Sequence, residues 1–168
     1  VGTDVHFFLE KRTNKGPWQL EDGKKSPESD HYGSVISLEG RSYVFFGLLS
    51  GVRSYHSPIY PARGIPEGTC EFVSELWADS HECGFHSSSW LTPKELKRVL
   101  DRYFKIVKKD PEWSDTVPLD IGPFDQPWRI DYSAIDYVNK LIDWEKAENL
   151  LLGCSNKTEF RFVFWFDS

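Results

Sequence analysis

Methionine is absent from this chain, even from residue 1, which is valine. A GTG start codon read literally would leave that valine, which points to a bacterial or phage gene. Cysteine is scarce: Cys70, Cys83 and Cys154 are odd in number and widely spaced, with no C-x-x-C pair. No disulfide framework follows, and a reducing cytoplasm is the expected compartment. No apolar run approaches the ~20 residues needed to cross a bilayer. The first apolar residues are interleaved with Asp4, His6 and Glu10, so no signal peptide is read and no membrane association is expected. Basic runs go no further than pairs such as Lys24-Lys25 and Lys108-Lys109, within a net charge of -6 and a pI near 5.4. Such a chain lacks the basic stripe that grips long nucleic acid. A small anion remains a suitable ligand, since a few arginines suffice to hold one. Gly40, Gly47 and Gly51 match neither a phosphate loop nor a dinucleotide fingerprint, and there is no G-x-S-x-G elbow.

Aromatic residues are plentiful, with Phe 12, Trp 7 and Tyr 7 among 168 residues. That supply of large apolar side chains builds a core, and the length fits one domain spanning 1–168. Asp4-Val-His-Phe-Phe-Leu-Glu10 reads as a strand. Val5, Phe7 and Leu9 face one way; Asp4, His6 and Glu10 face the other, with Phe8 among them. Lys11–Pro17 reads as a turn and Trp18–Leu20 as the return arm of a hairpin. Glu21–Gly33 is a polar loop. Arg41–Arg53 is apolar at nearly every position and long enough for a buried helix, closed by Arg53. Gly47 and Gly51 would share a face of it and allow close approach to the sheet.

A stiff loop from Ser54 to Gly68 follows, then a short helix over Thr69–Trp77. Ala78–Ser89 is read as a polar turn. Thr92-Pro93-Lys94-Glu95 opens a helix to about Lys105, with a threonine cap and a glutamate reaching back. Lys108–Trp128 is expected to wrap the surface, anchored by Trp113, Leu119, Phe124 and Trp128. A second long helix covers Asp131–Leu151, with Ile135, Val138, Leu141 and Ile142 inward and Gly153 as its stop. Phe160, Phe162, Phe164 and Phe166 line one face of a final strand suited to pair with Val5–Leu9, with helices on one side. The fold class is therefore α+β: a small, mainly antiparallel sheet of N-terminal hairpin plus C-terminal strand, packed by three or four helices.

Several constellations carry chemistry. Asp4, His6 and His86, with Glu10 as base and Asp79 or His81 nearby, offer ligands for a divalent metal that would activate water. The same groups without metal form an acid–base pair, or are simply solvated. Arg53 and Arg63 flank one proline-rich loop beside Tyr55, Tyr60 and Trp90; guanidinium forks suit phosphate and rings suit bases. The alternative is that one arginine caps carbonyls and the other pins the loop. His81, Cys83, His86 and Cys70 lack zinc-site spacing, and Ser87-Ser88-Ser89 beside His86 fits a polar turn better than a nucleophile.

Four blocks carry a resemblance: Gly2-x-Asp4-Val5-His6 with Glu10, Phe46-Gly47-Leu48-Leu49-Ser50-x-Val52-Arg53, Pro61-x-Arg63-Gly64-Ile65-Pro66, and His86-Ser-x-Ser89-Trp90-Leu91-Thr92. Together they resemble a family of small phage-encoded hypothetical proteins, over about the first hundred residues. The resemblance implies a phage or prophage origin and action in the cytoplasm of an infected bacterium. Small phage proteins of this kind often counter host immunity, some by capturing nucleotide signals. The expected function is binding of a small phosphorylated ligand, such as a nucleotide signal, at Asp4, His6, Arg53, Tyr60, Arg63, His86, Ser89 and Trp90. The alternatives are a metal-dependent phosphate-ester hydrolase and an acidic inhibitor that binds a host defence protein.

Overall fold

The computed structural model describes residues 2–21, 42–79, 84–109, 133–152 and 157–167. Among them are strands β1 (Asp4–Thr13), β2 (Gln19–Leu20), β3 (His86–Leu91) and β4 (Thr158–Asp167). The helices are α1 (Tyr43–Ser50), α2 (Glu71–Ala78), α3 (Pro93–Lys109) and α4 (Ser133–Leu152). The sheet is antiparallel throughout, in the order β2-β1-β4-β3. This is the expected α+β fold, with the hairpin and the C-terminal strand as its framework.

The hairpin turns at Asn14 and Lys15, both at φ 56, where a left-handed pair matches the twist of the two strands. β4 pairs with β1 along its whole length, from Asp4↔Asp167 to Thr13↔Thr158. With β3 on its other edge, β4 is a central strand, buried from Phe160 to Phe166. Its four phenylalanines join Phe7 and Leu9 in the larger core, under Phe45 and Phe46 of α1, Val99 and Tyr103 of α3, and Val138 and Leu141 of α4. The opposite face carries Phe8, Val163 and Trp165 beneath Val73, Phe72 and Trp77 of α2. Helices therefore cover both faces, where the sequence reading placed them on one.

α1 is apolar all round because Val44 through Leu49 are all buried. It stops at Ser50, not Arg53: Gly51 takes the left-handed cap conformation (φ 70) and donates its N–H to the Gly47 carbonyl. Gly47 does allow a close approach, but by its own trailing loop. A Cβ there would collide with the Ser54 side chain and lie 3.0 Å from the His56 carbonyl. The helix start at Thr92 is as expected. Glu95 N–H donates to Thr92 Oγ1 (3.3 Å), and Thr92 N–H donates to Glu95 Oε2 (2.9 Å).

β3 corrects the polar turn read over 78–89. His-Ser-Ser-Ser has no apolar alternation, so its strand character comes from pairing with β4. An extra residue sits between the pairs His86↔Phe166 and Ser89↔Phe164, with Ser87 at φ 55. The expected loop over 22–33, the wrap anchored by Trp113, Leu119, Phe124 and Trp128, His81, Cys83, Gly153 and Cys154 lie outside the described residues. No described helix is long and apolar enough to cross a membrane.

Candidate functional site

The second sheet face is a ladder of cross-strand pairs between β1 and β4, and it positions most of the polar residues. At one end Arg12 Nε donates to Glu159 Oε2 (2.7 Å). Next, Arg161 Nε donates to Glu10 Oε2 (2.6 Å), with the two side chains 7% and 0% exposed. Glu10 Oε1 also accepts from the Cys70 backbone N–H (2.8 Å). Arg161 spends its remaining donors on the Glu67 carbonyl and lies 4.0 Å from the centre of the Trp18 ring. Glu10, expected as a base, is thus a buried ion-pair partner that ties the entry of α2 to the sheet. Burial pushes the neighbouring Cys70 thiol up to about 11, so it is protonated at neutral pH and is a poor nucleophile.

At the far end of the ladder His6 Nε2 lies 2.8 Å from Asp167 Oδ2, and Asp167 Oδ1 accepts from the Asp4 N–H (3.1 Å). The His6 ring rests near Phe85 (5.2 Å) and Trp165 (6.0 Å). His86 is not part of this group. Its ring stacks on Phe166 (6.2 Å), a residue of the opposite face, and its Nδ1 pairs with Ser87 Oγ (2.9 Å). The bulge is the cause. Extending the Ser89↔Phe164 register without it would set His86 opposite Asp167; the extra residue turns it to the other face. The proposed ligand set Asp4, His6 and His86 does not converge. Among the described residues no three His, Cys, Asp or Glu are placed to hold a metal ion.

Tyr60, Arg63, Ser89 and Trp90 do come together. Arg63 N–H donates to Ser89 Oγ (3.1 Å) and Gly64 N–H to the Ser88 carbonyl (3.1 Å), which lays the loop along the outer edge of β3. The Arg63 guanidinium lies 4.7 Å from the centre of the Trp90 ring and 5.5 Å from that of Tyr60. Its Nη1 and Nη2 donate to Glu95 Oε2 (2.8 Å) and Oε1 (2.7 Å), and Nη1 also reaches the Trp90 carbonyl (3.2 Å). The Tyr60 hydroxyl is buried and has no hydrogen-bond partner among the described residues. Arg53 lies farther back on the same segment, exposed and at φ 45, near the 80% exposed Tyr55.

Glu95 was legible as a capping residue but not as the partner of Arg63. The two are far apart in sequence, and only the loop's course along β3 joins them. Asp167 was missed as well, although it shares the period-2 face of Glu159 and Arg161. The Arg63 donors hold the Glu95 carboxyl below the usual carboxylate range, and the Glu95 carboxylate raises Arg63 in turn. A carboxylate with a lowered folded pKa stabilises the fold above its unfolded pKa, and loses that contribution as pH falls through the folded value. Urea unfolding should therefore show wild type more stable than Glu95→Gln at pH 7, with the gap closing below the ordinary glutamate pKa of about 4.3. A gap unchanged in acid would disprove the linkage.

Comparison of the chain with family models, curated proteins and solved structures returned no match.

Proposed function

We propose that this protein holds a small phosphorylated ligand at the Arg63 cluster, without turning it over. The observation that carries the reading is the setting of Arg63: a forked, permanently charged donor, backed by two aromatic rings, on a loop anchored to β3 at several points. A guanidinium fork matches the oxygens of phosphate, and rings beside it suit a base. Arg53 and Tyr55 extend the same loop with a second guanidinium and an exposed ring. A metal-dependent hydrolase draws no support from the described side chains, because its candidate ligands sit on opposite sheet faces. With the phage resemblance, the reading becomes that of a nucleotide-signal sponge in the cytoplasm of an infected bacterium.

Native mass spectrometry of protein purified from bacterial cells tests this. Wild type should carry a phosphorylated compound that denaturation releases intact, and Arg63→Ala should lose it while keeping its circular dichroism spectrum. Retention of the compound by Arg63→Ala, or a clean apo mass for wild type, would defeat the reading.

A further inference from the structure

Arg63 is already occupied. Glu95 meets its two terminal nitrogens with both carboxylate oxygens, the geometry a bound anion would adopt. We infer that Glu95 is a built-in competitor for the Arg63 fork, so that the site admits ligands carrying a dianionic or polyanionic phosphate and rejects single carboxylates and other monoanions. This rests on the phosphate-binding reading above and names the ligand class for that site.

Three features support it. The pair is neither deeply buried nor fully solvated, with side chains 26% and 23% exposed, so it can open without stranding a charge away from water. Glu95 also has a second partner: its Oε2 accepts from the Thr92 N–H (2.9 Å), so the carboxylate keeps a bond at the helix start when Arg63 turns away. Arg63 likewise keeps the Trp90 carbonyl and the rings of Trp90 and Tyr60. Both halves of the pair therefore have a resting place apart from each other, which an ion pair serving only stability does not need.

The selectivity follows from charge and tethering. A carboxylate fixed beside the fork acts at an effective concentration of roughly millimolar or more. A free monoanion offering the same two oxygens gains nothing over it. A terminal phosphate or a pyrophosphate brings greater charge and additional oxygens to the same planar donors.

The test is calorimetric titration with two probes, pyrophosphate and acetate, on wild type, Glu95→Gln, Glu95→Asp and Arg63→Gln. Glutamine still caps the helix through its amide oxygen but cannot hold the fork as an anion. Glu95→Asp keeps the charge on a shorter arm. Pyrophosphate should bind Glu95→Gln roughly five- to ten-fold tighter than wild type, with Glu95→Asp between them. Acetate should bind measurably to Glu95→Gln alone, and Arg63→Gln should bind neither probe. If Arg63→Gln loses pyrophosphate while Glu95→Gln binds it no tighter than wild type, the competitor role is overturned and the phosphate site stands. Equal pyrophosphate affinity in wild type and Arg63→Gln, or no binding to any of the proteins, overturns the site and the competitor together.

Discussion

Glu10→Ala should lower folding stability by about 3–5 kcal/mol, read as a fall in the urea midpoint. The substitution strips Arg161 of its charge partner at a place where water cannot replace it, and it leaves the Cys70 N–H without an acceptor. Arg161→Met should cost a similar amount, because it leaves the Glu10 carboxylate buried without its cation. The double change Glu10→Leu with Arg161→Met should recover most of the loss, since a packed apolar pair avoids desolvating two charges. A double mutant as unstable as the sum of the singles would show that the two residues are not coupled. A Glu10→Ala loss below about 1 kcal/mol would mean that water reaches the site.

Phe164→Ala should cost about 3–5 kcal/mol by the same measurement. Phe164 lies at the middle of the central strand, fully buried, with its ring 4.9 Å from Phe7 and 6.3 Å from Phe166. The core cluster it belongs to is built from the sheet and three helices, which cannot close together over the missing ring. Tyr55→Ala removes an aromatic ring too, but one that is 80% exposed, and should stay within about 0.5 kcal/mol of wild type. Equal losses for the two would contradict the assignment of the core.

What the sequence disclosed follows from which interactions are local. The alternation of Phe160 to Phe166 and of Val5 to Leu9 declares two strands wherever they lie, and Thr92-Pro93-Lys94-Glu95 carries its own cap. α1 was legible as a helix, but its end depended on which of Gly51 and Arg53 stops it, and the left-handed glycine does. β3 was not legible, because a serine-rich strand is held by its neighbour rather than by its own pattern. The same holds for the site. Tyr60, Arg63, Ser89 and Trp90 are drawn together by one loop following one strand edge, and their chemistry already marked them. His86 carries equally suggestive chemistry, yet one inserted residue near Ser87 decides its face. Glu10 reads as a polar residue and candidate base on a strand face; only the register of β1 against β4 gives it Arg161 as a partner.

The position of β4 has a consequence for the order in which the fold can assemble. The strand that divides both cores comes after every other described element, β1 and β2 included. Until residues 158–167 emerge, Phe7 and Leu9 have β2 on one side but lack β4 on the other, and β3 lacks its one partner among the described strands. Sheet closure is then a late event across long sequence separations, the kind of topology that folds slowly and leaves apolar surface open meanwhile. A nascent chain halted before Thr158 should accordingly be held by chaperones and digested readily by proteases. Extending the chain through Asp167 should make it protease-resistant, since both faces of the sheet can then close.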